Sequence, residues 1–255
     1  MPRAHIIAIA RAAEDSAWLS EQLAALGHTP LLTPTIAFVP PDDRGPLDAA
    51  LAALGTYDWL VLTSGTAARA VFGALKSPVL GVVRVACVGR GTERALLRYG
   101  VRTSVVPATA LASSLPAALG ELGGRRILLP QADLAGSELA DALLARGALV
   151  DAVVAYRTIV GPGGGMLLGP LRAGGVDAIA LSSGSTARYL LEGLTAAGAT
   201  GDEALALANG ARLAAIGPST AKVARSLGLR VDAVADEQSD AGLLAATLAV
   251  VPWRT

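Results

Sequence analysis

Four short turns built of small and hydroxyl residues are where this sequence could do chemistry. They are Thr63-Ser64-Gly65-Thr66, Gly89-Arg90-Gly91-Thr92, Ser182-Ser183-Gly184-Ser185-Thr186 and Gly217-Pro218-Ser219-Thr220. Each follows a short apolar run and opens a helical pattern, so its Ser or Thr is placed to cap a helix by accepting a backbone N–H. Small residues also leave first-turn N–H groups open to a ligand, where the helix dipole favours an anion. In open α/β sheets ligands lie beyond the carboxyl ends of the strands, where these turns fall. Capping alone, or capping combined with binding of carboxylates or phosphates, are both consistent with the residues.

Sharper motifs fail. Gly89-Arg90-Gly91 starts like a dinucleotide fingerprint, but Arg94 stands where its last glycine belongs. No GxxxxGK[ST] and no GxSxG occurs, which excludes a P-loop ATPase and leaves a Ser–His hydrolase unsupported. His5 reads as a strand-entry residue, His28 as a turn residue, and Cys87, in an apolar strand, as an inert buried thiol. There is no credible cluster of metal ligands. Any catalysis must rest on hydroxyls, backbone amides, Arg and Tyr. Tyr156, in the extended VVAYRT segment, is the Tyr of interest. A phenol near its free pKa stays protonated at neutral pH and can give a proton to a departing oxygen.

Composition narrows the class. The 255 residues carry 21 Lys+Arg against 21 Asp+Glu, so no basic excess points to nucleic acid. With 53% hydrophobic and 16% charged residues the chain can bury a large core. Aromatics make up only 4%, so that core is Ala, Leu and Val. A single Cys excludes an intramolecular disulfide. The apolar start, Met1–Ala10, is cut off by Arg11, Glu14 and Asp15, and the run Ala241–Trp253 is too short to span a bilayer. The expectation is a soluble cytoplasmic protein without membrane contact.

The elements that must position the turns repeat. Apolar strands are expected at His5–Ala10, Asp58–Leu62, Arg84–Val88, Ser104–Val106, Arg126–Leu129, Asp177–Leu181, Leu213–Ile216 and Asp232–Val234. Helices are expected between them, the first over Asp15–Leu26 with Trp18, Leu19, Leu23 and Leu26 on its buried face. Ile7 and Ile127, like Gly27 and Gly147, lie 120 positions apart. DWLVLTSGTAARAV from Asp58 is echoed by DAIALSSGSTARYL from Asp177, offset by 119, and VACVGRGTERALLRYG from Val85 by LAAIGPSTAKVARSLG from Leu213, offset by 128. The extra residues are assigned to a loop around Ala199–Gly210. The chain thus contains two similar α/β domains with parallel sheets. Leu31–Val39 and Val150–Val160 are extended without alternating helices. They read either as a strand within each sheet or as paired linkers between the domains.

At this point the residues resemble the uroporphyrinogen-III synthase family over nearly the whole chain. The likeness rests on VLTSGTAARAV, VACVGRGTERALLRYG, RILLPQADLAGSELADALLARGALVDAVVAYRT and AAIGPSTAKVARSLGLRVDAVADEQSDAGLLAATL. Most specific are the LP-x-x-D…V-x-Y-R-T spacing and the A-I-G-P-[ST]-T-A turn. The resemblance implies two α/β domains joined by a two-stranded extended linker, with the active site in the cleft between them. It implies one domain from residues 1–35 with 159–255 and another from 36–158. Two such domains joined by only two extended crossings, with few large apolar side chains to hold a cleft shut, are expected to move as rigid bodies about the linkers. It implies cyclisation of hydroxymethylbilane, a linear tetrapyrrole with carboxylates on every ring, to uroporphyrinogen III with inversion of ring D, and no metal or organic cofactor. Carried over by position, Tyr156 and Thr92 are the catalytic candidates. Arg11, Thr63, Ser64, Gly65, Ser183, Gly184, Ser219 and Thr220 are the substrate-binding ones. Gly65 and Gly184 stand where proline is common, and Gln131 where arginine is frequent. The chain is read as a monomer. The competing reading, from architecture alone, is a non-catalytic two-lobed protein that binds a polyanionic small molecule.

Overall fold

The computed structural model describes residues 4–73, 75, 81–109 and 111–251. In chain order the strands and helices are β1 (Ile6–Ala10), α1 (Ala17–Ala25), β2 (Thr29–Leu32), β3 (Ile36–Val39), α2 (Gly45–Ala52), β4 (Trp59–Leu62), α3 (Gly65–Phe72), β5 (Arg84–Cys87), α4 (Arg90–Leu97), α5 (Leu115–Ala118), β6 (Arg126–Ala132) and α6 (Glu138–Leu144). They continue with β7 (Leu149–Val160), α7 (Gly163–Arg172), β8 (Ala178–Leu181), α8 (Gly184–Ala196), α9 (Gly201–Gly210), β9 (Arg212–Ala215), α10 (Pro218–Ser226), β10 (Val231–Val234) and α11 (Asp240–Val250). The chain divides into two compact units: Met1–Ala37 with Ile159–Thr255, and Phe38–Thr158.

The first unit holds a five-stranded sheet in the order β10-β9-β8-β1-β2, the second a sheet in the order β3-β7-β6-β4-β5. The repeat is visible in the registers. In the second unit Trp59 faces Arg84 and Ile127, and Arg126 faces Leu149. In the first, Ala178 faces Arg212 and Ile7, and Ile6 faces Thr29, all parallel. These partners differ by the same 119, 120 and 128 positions that relate the sequence echoes. β1, β2, β8 and β9 therefore correspond to β6, β7, β4 and β5. An aspartate repeats with them. Asp177 accepts from the Ile6 N–H at 2.8 Å and Asp58 from the Arg126 N–H at 2.9 Å, locking the amino ends of paired strands. Gly27 and Gly147, at φ 82° and 83°, make the same left-handed turn before β2 and β7.

Each sheet is buried on both faces, as parallel sheets require. β4 and β8 are buried along their whole lengths, and the cores on either side are Ala, Leu, Ile and Val almost throughout.

Four expectations need correction. On α1 only Leu19 and Leu23 are buried, while Trp18 is 41% and Leu26 54% exposed, so the apolar face is narrower than its periodicity implies. Ala199–Gly210 is mostly the helix α9, not a loop. Thr200 accepts from the Glu203 N–H and Glu203 reaches back to the Thr200 N–H, a reciprocal cap. Ser104–Val106 makes only a single bridge, Val105 to Ala86, where the other unit has β10. The extended segment Leu31–Val39 is not one piece. Leu31 and Leu32 belong to β2, whereas Ile36–Val39 joins β7 as an edge strand. Beyond β7 the pairing continues from Gly161 N–H to the Thr35 carbonyl and from Gly163 N–H to the Pro34 carbonyl, with one number rising as the other falls. Ile36 and Ala37 group with the first unit, where Thr35 Oγ1 donates to the Thr186 carbonyl. Ala74, within the helix that the pattern predicts over Thr66–Leu75, residues 1–3 of the apolar start Met1–Ala10, and the end of the Ala241–Trp253 run from Pro252 lie outside the described residues.

Candidate active site

All four turns lie at carboxyl ends of neighbouring parallel strands: after β4 and β5 in the second unit, after β8 and β9 in the first. Ser64 caps α3, accepting from Ala67 N–H at 3.0 Å. Ser183 caps α8, accepting from Thr186 N–H at 3.1 Å while Thr186 Oγ1 accepts from the Ser183 N–H. Gly89 and Gly217 cap α4 and α10 without a side chain. Thr92 and Thr220, in the first turns of those helices, are only 7% and 4% exposed, whereas Ser219 is exposed and Thr63 half-buried.

Gly65 and Gly184 have a reason unrelated to ligands. A Cβ on Gly184 would sit 2.9 Å from Val223 Cγ2, and one on Gly65 3.3 Å from the Ala95 Cβ. The missing side chains let α8 pack on α10 and α3 on α4. A bulky residue at either position would therefore disturb helix packing, whatever the backbone binds.

Arg11 Nη1 donates to Asp240 Oδ1 at 2.8 Å, and its side chain is 15% exposed. The guanidinium ties the end of β1 to the first turn of α11, so part of its binding capacity is already used within the first unit.

Tyr156 meets α3. Its hydroxyl lies 3.1 Å from Ser64 Oγ, and its ring stands edge-on to Phe38 with centroids 5.5 Å apart. Burial pushes the phenol pKa up, with the Ser64 hydrogen bond and the charge of Arg69 pulling the other way and Asp133 adding to the rise. Tyr156 is therefore protonated at neutral pH. Sequence patterning does not select Phe38, and Asp133 enters it only as one letter of a motif. Beside Tyr156, Arg157 pairs with Asp42. A cavity of about 430 Å³ there is lined by Asp42, Asp43, Asp133 and Arg157 among others. Three carboxylates against one guanidinium make it a poor host for a polyanion.

Cys87 is fully buried and its pKa is raised to about 11, chiefly by burial. Among the described residues no group of three His, Cys, Asp or Glu is placed to hold a metal ion, and no helix is long and apolar enough to cross a membrane.

Two α/β units of one repeated pattern, with turns of small and hydroxyl residues at their strand ends and a half-buried tyrosine on one helix cap, define a class of two-unit α/β proteins. The family model described as "Uroporphyrinogen-III synthase HemD" matches residues 18–245, and the chain belongs to that family. A uroporphyrinogen-III synthase from Synechococcus elongatus is 31% identical over 252 residues, covering 95% of this chain and 93% of the relative. The fold is shared with a mutant uroporphyrinogen III synthase from Thermus thermophilus (TM-score 0.62, 23% identity, 97% and 98% of the two chains). It is also shared with uroporphyrinogen-III synthetase from Helicobacter pylori (TM-score 0.61, 16% identity, 97% and 100%).

Proposed function

We propose that this chain cyclises hydroxymethylbilane to uroporphyrinogen III, inverting ring D. The observation that carries the reading is the Tyr156–Ser64 contact, in a chain of this family. Ser64 Oγ accepts the Ala67 N–H and can donate its own hydrogen to the Tyr156 oxygen. The phenol hydrogen is then free for the terminal hydroxyl of the substrate, and the Ser64 donor steadies the negative charge that develops on the tyrosine. Hydroxide leaves as water, carrying that proton, and an azafulvene cation remains. Ring D attacks through its substituted carbon to give a spiro intermediate, then migrates and closes the macrocycle. The proton lost from ring D on closure balances the one Tyr156 gave. Unassisted closure proceeds without inversion, so the main work is holding ring D in place. The substrate carboxylates are assigned to first-turn N–H groups of α3, α4, α8 and α10, assisted by Arg11, Thr63, Ser219 and the buried pair Thr92 and Thr220.

The test is cyclisation of freshly made hydroxymethylbilane with separation of the product isomers. Type III product is expected from the wild type. Tyr156→Phe is expected to fold normally and to slow it about 10²-fold, the low end for general acid help because the leaving group is labile. Type I product alone would leave the non-catalytic binder as the better reading. The same reading takes the chain as a cytoplasmic monomer, checked by sedimentation and cell fractionation.

A further inference from the structure

Along β7 the side chains break the alternation a strand imposes. Val153 and Ala155 pack on the core between the sheet and α3, and Val154 is 38% exposed. Regular alternation would send Tyr156 out with Val154. Tyr156 instead packs on the same core as Ala155, its neighbour in sequence. The register explains this. Gln131 faces Val154, but Ala132 faces Tyr156, so Ala155 is an extra residue, a bulge. Bulges re-aim side chains, and this one turns Tyr156 toward Ser64.

Asp133, the residue just past the end of β6, grips the bulged segment with both its backbone and its side chain. The Asp133 N–H donates to the Tyr156 carbonyl at 3.0 Å, and Asp133 Oδ1 accepts the Thr158 N–H at 3.3 Å. These bonds bracket Arg157 and hold the chain on both sides of it. Asp133 is itself exposed, so it contributes little to the core. We propose that Asp133 is a positioning residue that holds the Ala155 bulge and so keeps the Tyr156 hydroxyl on Ser64. The inference rests on the function proposed above and acts only through Tyr156.

The experiment compares Asp133→Ala and Asp133→Asn, each alone and combined with Tyr156→Phe. Asp133→Ala is expected to lower kcat about ten-fold with little change in KM, as misplacement of a reacting group does. Asp133→Asn keeps the Oδ1 acceptor and should recover most of the rate. In the Tyr156→Phe background Asp133→Ala should cost nothing more, since its effect passes through the absent hydroxyl. A wild-type rate in Asp133→Ala, or an equal fold-loss in both backgrounds, would overturn the proposal. If the wild type made no type III product, the functional reading would fail instead. The bulge would then be read from the Thr158 amide exchange and the Tyr156 ring resonances, and no change in either on Asp133→Ala would sink the proposal.

Discussion

Gly184 at the start of α8 abuts Val223 of α10 so closely that a Cβ on the glycine would lie 3.0 Å from the valine Cβ and 2.9 Å from its Cγ2. The equivalent pair in the other unit, Gly65 and Ala95, leaves 3.3 Å. Rotating Val223 about χ1 relieves nothing at its Cβ. Gly184→Ala is therefore expected to destabilise the protein by about 1–2 kcal/mol, within the usual range for overpacking, and Gly65→Ala by less. Adding Val223→Ala should recover part of the Gly184→Ala loss. Urea unfolding of the four proteins measures this, and equal stability of the two glycine variants would refute it.

Ser64 and Ser183 are equivalent caps with different neighbours. Both accept an N–H from the residue three positions on, and only Ser64 is seen to touch Tyr156. Each Ser→Ala change should cost about 1 kcal/mol of stability through the lost cap. Ser64→Ala should in addition slow type III formation severalfold more than Ser183→Ala does. Parallel measurement of unfolding midpoints and initial rates separates the two effects. Equal rate losses would assign both serines to capping or to substrate alone.

The His5 and His28 rings stand 5.7 Å apart where β1 and β2 begin. Burial first, then repulsion from His5, lowers the His28 pKa below its ordinary value near 6.5, with Asp177 opposing. The unfolded chain then binds the proton more readily than the folded one. Stability from this site is complete above about pH 6.5 and declines as pH falls toward the depressed folded value. The carboxylates of Asp48, Asp58, Glu93 and Glu203, all held below their usual values by arginine or backbone donors, titrate further down. Urea midpoints at about pH 8 and about pH 5.5 should fall between the two for the wild type and fall less for His28→Gln. An identical fall in both proteins would remove His28 as the cause.

Asp177 and Asp58 make the same clamp on the backbone of a neighbouring strand. Replacing either by Ala leaves an amide without its acceptor, a change that costs about 1–3 kcal/mol when the group is buried. Asp58→Ala should fall below that range, since its bond is exposed and water can replace it. Thermal unfolding of the two variants orders them, and a larger loss for Asp58→Ala would contradict the assignment.

The sheets were legible because parallel strands must be apolar on both faces and because the echoes keep their offsets. Trp59 and Ala178, with their partners Arg84 and Arg212, could be paired from numbers alone. Local chemistry was legible where it was weighed: Ser64 and Ser183 cap as their types demand. The Thr200–Glu203 cap was equally readable and shows how a composition of Gly and acid can disguise a helix. What could not be read depends on contacts distant in sequence. Arg11 finds Asp240 from the far end of the chain. Tyr156 finds Ser64 only because one extra residue shifts the β6–β7 register, and an apolar string such as VVAY carries no mark of where a bulge falls.

The discontinuous unit also dictates an order of events during synthesis. Residues 38–158 are contiguous and can fold as soon as they leave the ribosome. β1 and β2 are made first, yet β1 lies between β2 and β8, and β8 begins only at Ala178. The nascent amino-terminal pair of strands with its helix must therefore wait, with one edge of β1 unpaired, while the entire other unit is translated. An open apolar edge recruits foreign strands. The hazardous interval in the life of this protein is the passage from Ala10 to Leu181, and a stall within it strands the oldest part of the chain without its partner.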